Sequence, residues 1–306
     1  MGGGTYSASN FCSYATSRGY SYDVTTNRIS GHTYTERRMH KNLNPRGVIR
    51  ECCNSEEHPD TVPVILALDV TGSMGRACDE TASAISQLMK ELYDKYKDVE
   101  IMVMGVGDFE CDNAPLQVSQ FESDVRVAEQ LDQVYMEHGG GGNGWESYTA
   151  PWWFGLYKTR LDCFDKQGRK GVIITMGDEP LNPDLPAEVL QDYFGVADGE
   201  ESRNESYIYK TNALYKEASK KFDIFHIAID DPHDCYDRYE NAIKRSFKPV
   251  LGENFKVSTI ADLKDTICAC IDASIRNRPD SGANTLIVEE TVGGNVKTDE
   301  NGGIVW

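Results

Sequence analysis

The sequence lacks any apolar run long enough to cross a bilayer. The longest, Val62–Leu68, is interrupted by Pro63 and falls far short of the roughly 20 residues a spanning helix needs. The start, MGGGTYSASN, has neither the positive segment nor the apolar segment of a secretory leader. Tyr6 stands where a myristoylation pattern wants Ser or Thr. A cytoplasmic protein is therefore expected. Positive charge is also scarce: 31 Lys and Arg face 49 Asp and Glu, a net charge of −18, which argues against partners gripped through phosphates, nucleic acids first among them. The nine cysteines are odd in number and scattered, with no CxxC pair, so reduced thiols are expected rather than a disulfide framework. No HExxH or Cys/His zinc spacing occurs, and the vicinal Cys52 and Cys53 read as ordinary small residues. Repeats and low-complexity tracts are absent.

The material present is ordinary and globular: 306 residues, 40% hydrophobic and 26% charged, enough for one large domain with appendages or two small ones. Residues 1–60 are rich in Gly, Ser, Tyr, Asn and Arg and read as an N-terminal extension with a hairpin near Tyr20–Ile29, packed on the domain after it. From Thr61 the pattern changes. VPVILALDV is a continuous apolar run of strand length, as in a parallel strand buried on both faces. Thr81, Ile85, Leu88, Met89, Leu92 and Tyr96 then repeat at helical spacing. Further strands are expected at Val99–Val106, Gly171–Met176, Phe222–Ile229 and Phe255–Val257. Helices are expected near Val125–Glu137, Pro151–Cys163, Leu185–Phe194, Ser206–Lys221, Tyr236–Phe247 and Ile260–Arg276. This alternation predicts an α/β domain over residues 61–276, doubly wound, with a mostly parallel central sheet flanked by helices. Residues 277–306, with TLIVEETV and GGN, read as a C-terminal β-hairpin or docking tail.

In such folds ligands collect beyond the carboxyl ends of the strands. The loop after the first long strand reads Asp69-Val70-Thr71-Gly72-Ser73-Met74, a carboxylate and two hydroxyls at alternate positions. Hard oxygens in that arrangement suit Mg²⁺, Mn²⁺ or Ca²⁺. A strand-end Asp with a Thr and a Ser that merely cap a helix is the plain structural alternative.

With these residues the sequence resembles a von Willebrand factor A domain, whose metal-ion-dependent adhesion site carries Asp-x-Ser-x-Ser at the end of its first strand. Asp69, Thr71 and Ser73 occupy the matching positions, Thr71 replacing the first Ser. The later Asp of the family follows a central apolar strand, and VIITMGDE supplies Asp178 there. The family also uses a Thr from a middle loop. In GGGGNGWESYTAPWW that residue corresponds to Ser147 or Thr149, and Glu146 is a third oxygen donor whose carboxylate would neutralise more of the metal charge from within. The resemblance spans about Thr61 to Arg276. It implies a binding module in which Asp69, Thr71, Ser73, Asp178 and a middle-loop oxygen hold a divalent cation whose open position takes an Asp or Glu of a protein partner, in an intracellular complex such as one built round a separately encoded ATPase or kinase.

Asp108, ending the strand of MGVGDFE on the same rim, and Glu146 and Trp145 are candidate partner contacts. Trp152 and Trp153 lie beside a helix start, which puts at least one of the three tryptophans in the core. Asp230, Asp231 and His233 read as a turn round Pro232. The alternative function is a metal-dependent hydrolase or phosphatase, with the same cation activating water or Asp69 as a nucleophile. Against it, Thr71 breaks the Asp-x-Asp pattern of aspartyl phosphotransfer, and no Ser-His-Asp, Cys-His or P-loop arrangement occurs.

Overall fold

The computed structural model describes residues 4–23, 28–30, 35–74, 80, 84–85, 88–89, 91–137, 143–195, 206–230 and 236–278. The expected tail element beyond 278, and Asp231 and His233, lie outside the described residues.

The chain opens with a helix, Ala8–Ser17, that no apolar periodicity in the sequence announces. Ser7 caps it, its Oγ accepting from the Asn10 N–H, and Phe11 and Ala15, four apart, turn one face inward with no exposed surface. Asp132 anchors this segment to the domain: it accepts from the Tyr14 hydroxyl, from the Tyr20 hydroxyl at 3.3 Å and from Arg18 at 3.4 Å. The expected hairpin follows as β1 (Ser21–Asp23) and β2 (Arg28–Ser30). Then β3 (Arg50–Cys52) leads into β4 (Val62–Asp69).

The central sheet contains β4, β5 (Val99–Val106), β6 (Leu116–Val118), β8 (Gly171–Gly177), β11 (Phe222–Ile229) and β12 (Phe255–Ser258) in the order β12-β11-β8-β4-β5-β6. All neighbours are parallel except β5 and β6, which pair antiparallel at one edge. The fold is thus doubly wound α/β. Every residue of β4, β5 and β8 is buried, as continuous apolar runs require when both faces are covered. Alternate residues serve opposite faces: Val62, Val64, Leu66 and Leu68 join one core with Ile85, Leu88, Leu92, Ile267 and Ile271, while Ile65 and Ala67 join the other with Trp152, Trp153, Phe194 and Phe247.

Several elements depart from the periodicity. The helix expected over Pro151–Cys163 stops at Tyr157 (Ala150–Tyr157). The chain then forms β7 (Thr159–Leu161), which pairs with β3, and a single turn Asp162–Asp165. A pairing with the N-terminal extension leaves no signal in local spacing. The helices expected near Leu185 and Ser206 begin later, at Ala187 and Thr211, because β9 (Asp184–Pro186) and β10 (Ile208–Lys210) first pair with each other. The helix from Tyr236 runs past Phe247 to Leu251, carried by Ile243, Phe247 and Leu251 at four-residue spacing. The last helix, Leu263–Arg276, buries both Cys268 and Cys270, and the seven described cysteines are free thiols. Among the described residues no helix is long and apolar enough to cross a membrane.

The helix Ala150–Tyr157 is almost wholly interior. Trp152, Trp153 and Phe154 have no exposed surface, and Trp153 stacks on Phe194 at 4.9 Å. Gly155 lets the helix lie close on the sheet, since a Cβ there would meet Ile173 of β8 at 2.9 Å. Trp153→Ala is expected to lower stability by about 3–5 kcal/mol, read as a fall in the urea midpoint. Glu100 gives a second expectation. On β5 its carboxyl is buried, with Oε2 unpartnered among the described residues, and burial pushes its pKa up to about 7, offset in part by the Cys52 thiol. A carboxyl raised in the folded state contributes stability below its unfolded pKa and loses it as pH rises through about 7. Glu100→Gln should therefore gain on the parent protein between pH 5 and 8, by at most about 3 kcal/mol in parallel urea titrations.

Candidate metal centre

The direction of strand succession reverses at β4: β5 and β6 lie on one side, β8, β11 and β12 on the other. The loops leaving β4 and β8 diverge there, and such a switch point opens a crevice at the carboxyl edge. Asp69 ends β4 and Asp178 comes directly after β8, and both carboxylates are fully buried.

The loop after β4 turns back on its own aspartate. Asp69 Oδ1 accepts from the Thr71 N–H at 2.9 Å and from the Thr71 hydroxyl at 2.7 Å. A 3₁₀ turn, Gly72–Met74, then brings round Ser73, whose hydroxyl donates to Asp178 Oδ1 at 3.0 Å. The Thr71 and Ser73 hydroxyl oxygens lie 3.1 Å apart. Four residues named from sequence are thereby joined across a gap of more than one hundred positions.

The middle loop arrives differently from expectation. Ser147 donates to Asp108 Oδ1 at 3.2 Å and accepts from the Phe109 N–H. Thr149 is clamped twice to Asn182, at 3.1 and 2.7 Å. The residue between them, Tyr148, reaches the centre: its hydroxyl donates to Asp69 Oδ2 at 2.5 Å and accepts from the Glu179 N–H at 3.4 Å. Spacing alone does not single out Tyr148. The signal available is its place between two candidate ligands, where alternation sends neighbours in different directions. Gly177 makes room for it, since a Cβ there would collide with the Tyr148 oxygen and lie 2.8 Å from Asp69 Oδ2.

The candidate partner contacts also sit otherwise than expected. Asp108 is buried, accepting from Ser147, the Glu110 N–H and Asn143, so it braces the loops rather than presenting a surface. Glu146 is buried too, bridged to Leu181 through the backbone, and among the described residues its Oε2 has no hydrogen-bond partner. Trp145 is half-buried at the rim.

Negative charge accumulates here. Burial and then Asp178 push the Asp69 carboxyl up to about 8, with Tyr148 and Thr71 pulling it back. Burial, Asp69 and Glu179 push Glu146 up to about 11, and burial and Asp178 push Glu179 up to about 7. Buried carboxyls acting on one another in this way are costly unless protons or a cation neutralise them. Among the described residues no three His, Cys, Asp or Glu side chains converge as a ready metal cage. The donor set is instead two carboxylates with two hydroxyls, of the hard-oxygen type that suits a cation retaining water.

No family model matches the chain, and no curated protein matches it in sequence. Among solved structures it is similar to the pilus adhesin SpaC of Lactobacillus rhamnosus GG, at 11% identity and TM-score 0.45 over 76% of this chain and 32% of SpaC. It is also similar to the vWF domain of the type V pili tip protein Mfa5 of Porphyromonas gingivalis, at 12% and 0.46 over 72% of this chain and 97% of that domain. A further likeness is to proximal thread matrix protein 1 of the mussel byssus, at 11% and 0.40 over 71% and 49%. The chain thus spans about a third of SpaC, and at these identities the likeness is one of overall fold.

Proposed function

We propose that the protein is a metal-dependent binding module. Asp69, Thr71, Ser73 and Asp178 hold one divalent cation, Mg²⁺ or the similar Mn²⁺ or Ca²⁺, and an Asp or Glu of a protein partner completes its coordination.

The observation that carries this reading is the pair of hydroxyl oxygens. With a cation present to keep both carboxylates ionised, the Thr71 hydroxyl donates to Asp69 and the Ser73 hydroxyl to Asp178. The two oxygens lie 3.1 Å apart, so with both protons directed at the carboxylates their lone pairs are free to share one cation. That separation is close to the edge of an octahedron of oxygens about 2.0–2.1 Å from a central ion, which is about 2.9 Å. Glu146 and Glu179 are both raised by burial and by neighbouring carboxylates, a repulsion that a cation at this rim would relieve. A bound divalent cation incompletely neutralised by the protein attracts a carboxylate from outside. The motif and the sheet order agree with the von Willebrand factor A resemblance noted in the sequence.

Binding is favoured over hydrolysis by the state of Asp69. Its side chain is fully buried and held by hydrogen bonds at both oxygens, which fixes it in place and gives it no open path to a substrate phosphorus or carbon. Among the described residues, His226 packs against Tyr148 but is fully interior and held neutral by burial, with Nδ1 on Thr175, and so makes no acid–base partner for a bound water.

Calorimetry is expected to show one Mg²⁺ per chain, with Mn²⁺ competing for it. Asp69→Ala should abolish the binding while keeping a cooperative thermal transition. Capture of an acidic partner should disappear in EDTA and return with Mg²⁺. Unchanged Mg²⁺ affinity in the Asp69→Ala protein would refute the site.

A further inference from the structure

We infer that Tyr148 is a positioning residue that sets the cation preference of this site, holding it to the small Mg²⁺ against the larger Ca²⁺. The inference rests on the proposed cation site but concerns a residue outside its ligand set.

The Tyr148 hydroxyl is the point where two strand ends meet. It donates to Asp69 at the end of β4 and accepts from the N–H of Glu179, next to Asp178, in the loop after β8. It is also held firmly. The residue before it is tied to Asp108 and the residue after it to Asn182. Its ring packs edge-on to His226 at 4.9 Å and against Phe247 at 5.7 Å, and those two stack on each other at 3.7 Å. His226 is itself fixed through Thr175 at 2.8 Å. A phenol carried on such a base cannot follow a drifting carboxylate.

The consequence falls on Thr71. Asp69 holds the Thr71 hydroxyl through Oδ1, and Tyr148 holds Asp69 from the other side through Oδ2, so the Asp69 side chain is fixed at both oxygens. That rigidity passes to the Thr71–Ser73 oxygen pair and its 3.1 Å separation. Mg²⁺ demands near-ideal octahedral geometry, with neighbouring oxygens about 2.8–3.0 Å apart. Ca²⁺ ligates at about 2.3–2.6 Å, spreads octahedral neighbours to about 3.3–3.7 Å and tolerates irregular shells. The observed separation lies nearer the first range. Releasing Asp69 removes the geometry that Mg²⁺ requires and Ca²⁺ can do without.

The test is calorimetric titration with Mg²⁺ alone and Ca²⁺ alone on the parent protein, Tyr148→Phe, Gly177→Ala and Asp69→Ala, each checked for a cooperative thermal transition. Tyr148→Phe deletes only the hydroxyl. Gly177→Ala keeps it but places a methyl where it now sits, and serves if the first variant does not fold. Mg²⁺ affinity is expected to fall about 10- to 100-fold in either variant, the usual effect of losing a group that orients a ligand, while Ca²⁺ affinity falls less than about threefold. An unchanged Mg²⁺ to Ca²⁺ ratio, whether both affinities hold or both drop together, overturns the inference and reduces Tyr148 to a packing residue. Failure of the underlying reading looks different: the parent protein then binds neither ion.

Discussion

The arrangement depends on one electrostatic constraint, the burial of Asp69 and Asp178 at adjacent strand ends with no exposed surface on either. The sheet imposes it. Strands β4 and β8 pair in register, Leu68 beside Met176, so the residues immediately beyond them must share one rim. Removing carboxylates from water costs several kcal/mol each unless donors or positive charge replace the water. The chain meets part of that cost with the Thr71 N–H and three hydroxyls, those of Thr71, Ser73 and Tyr148. Neutral donors relieve a carboxylate without cancelling its charge. The remaining deficit is what the proposed cation would meet.

The middle loop distributes its side chains to secure this rim. Three consecutive residues bind three different strand ends: Ser147 takes the loop after β5, Tyr148 the end of β4, and Thr149 the loop after β8 through Asn182. A short segment thereby staples the crevice that the switch point opens. It launches directly into the helix Ala150–Tyr157, whose burial through Trp152 and Trp153 fixes the loop from below. Core packing and site geometry are therefore one mechanical unit. Gly177 is part of that unit, because the space a side chain would occupy on β8 is where the phenol passes.

Much of this is legible in the sequence, and the limits of legibility are physical. VPVILALDV and VIITMGDE announce buried parallel strands by continuous hydrophobicity, and in a doubly wound sheet their trailing carboxylates have to converge. Asp69, Thr71 and Ser73 are marked by their spacing behind the first strand, and Asp178 by its place in the von Willebrand factor A resemblance. The middle loop is not, because it lies in no periodic element. Which of Glu146, Ser147, Tyr148 and Thr149 turns inward depends on pairings with Asp108 and Asn182 that no local pattern encodes. The same reason hides β7, which exists only because β3 of the N-terminal segment lies beside it, and the helix Ala8–Ser17, whose inward face is just Phe11 and Ala15. Elements defined by their own composition can be read; elements defined by a distant partner cannot.

Charge and site act at different ranges. A net charge of −18 sets a field that concentrates divalent cations near the protein and repels acidic ligands, both effects fading over about 8 Å at physiological salt. An acidic partner of the proposed kind gains nothing from that field on approach, so its selection falls to the last few ångströms, where coordination geometry and the half-buried Trp145 at the rim operate. Such a complex is steered weakly and held locally, which ties its strength to how well the oxygens of Thr71 and Ser73 are placed. On the proposed reading, the rigidity of the hydroxyl pair, and of the tyrosine behind it, is the property on which both cation choice and partner choice would turn.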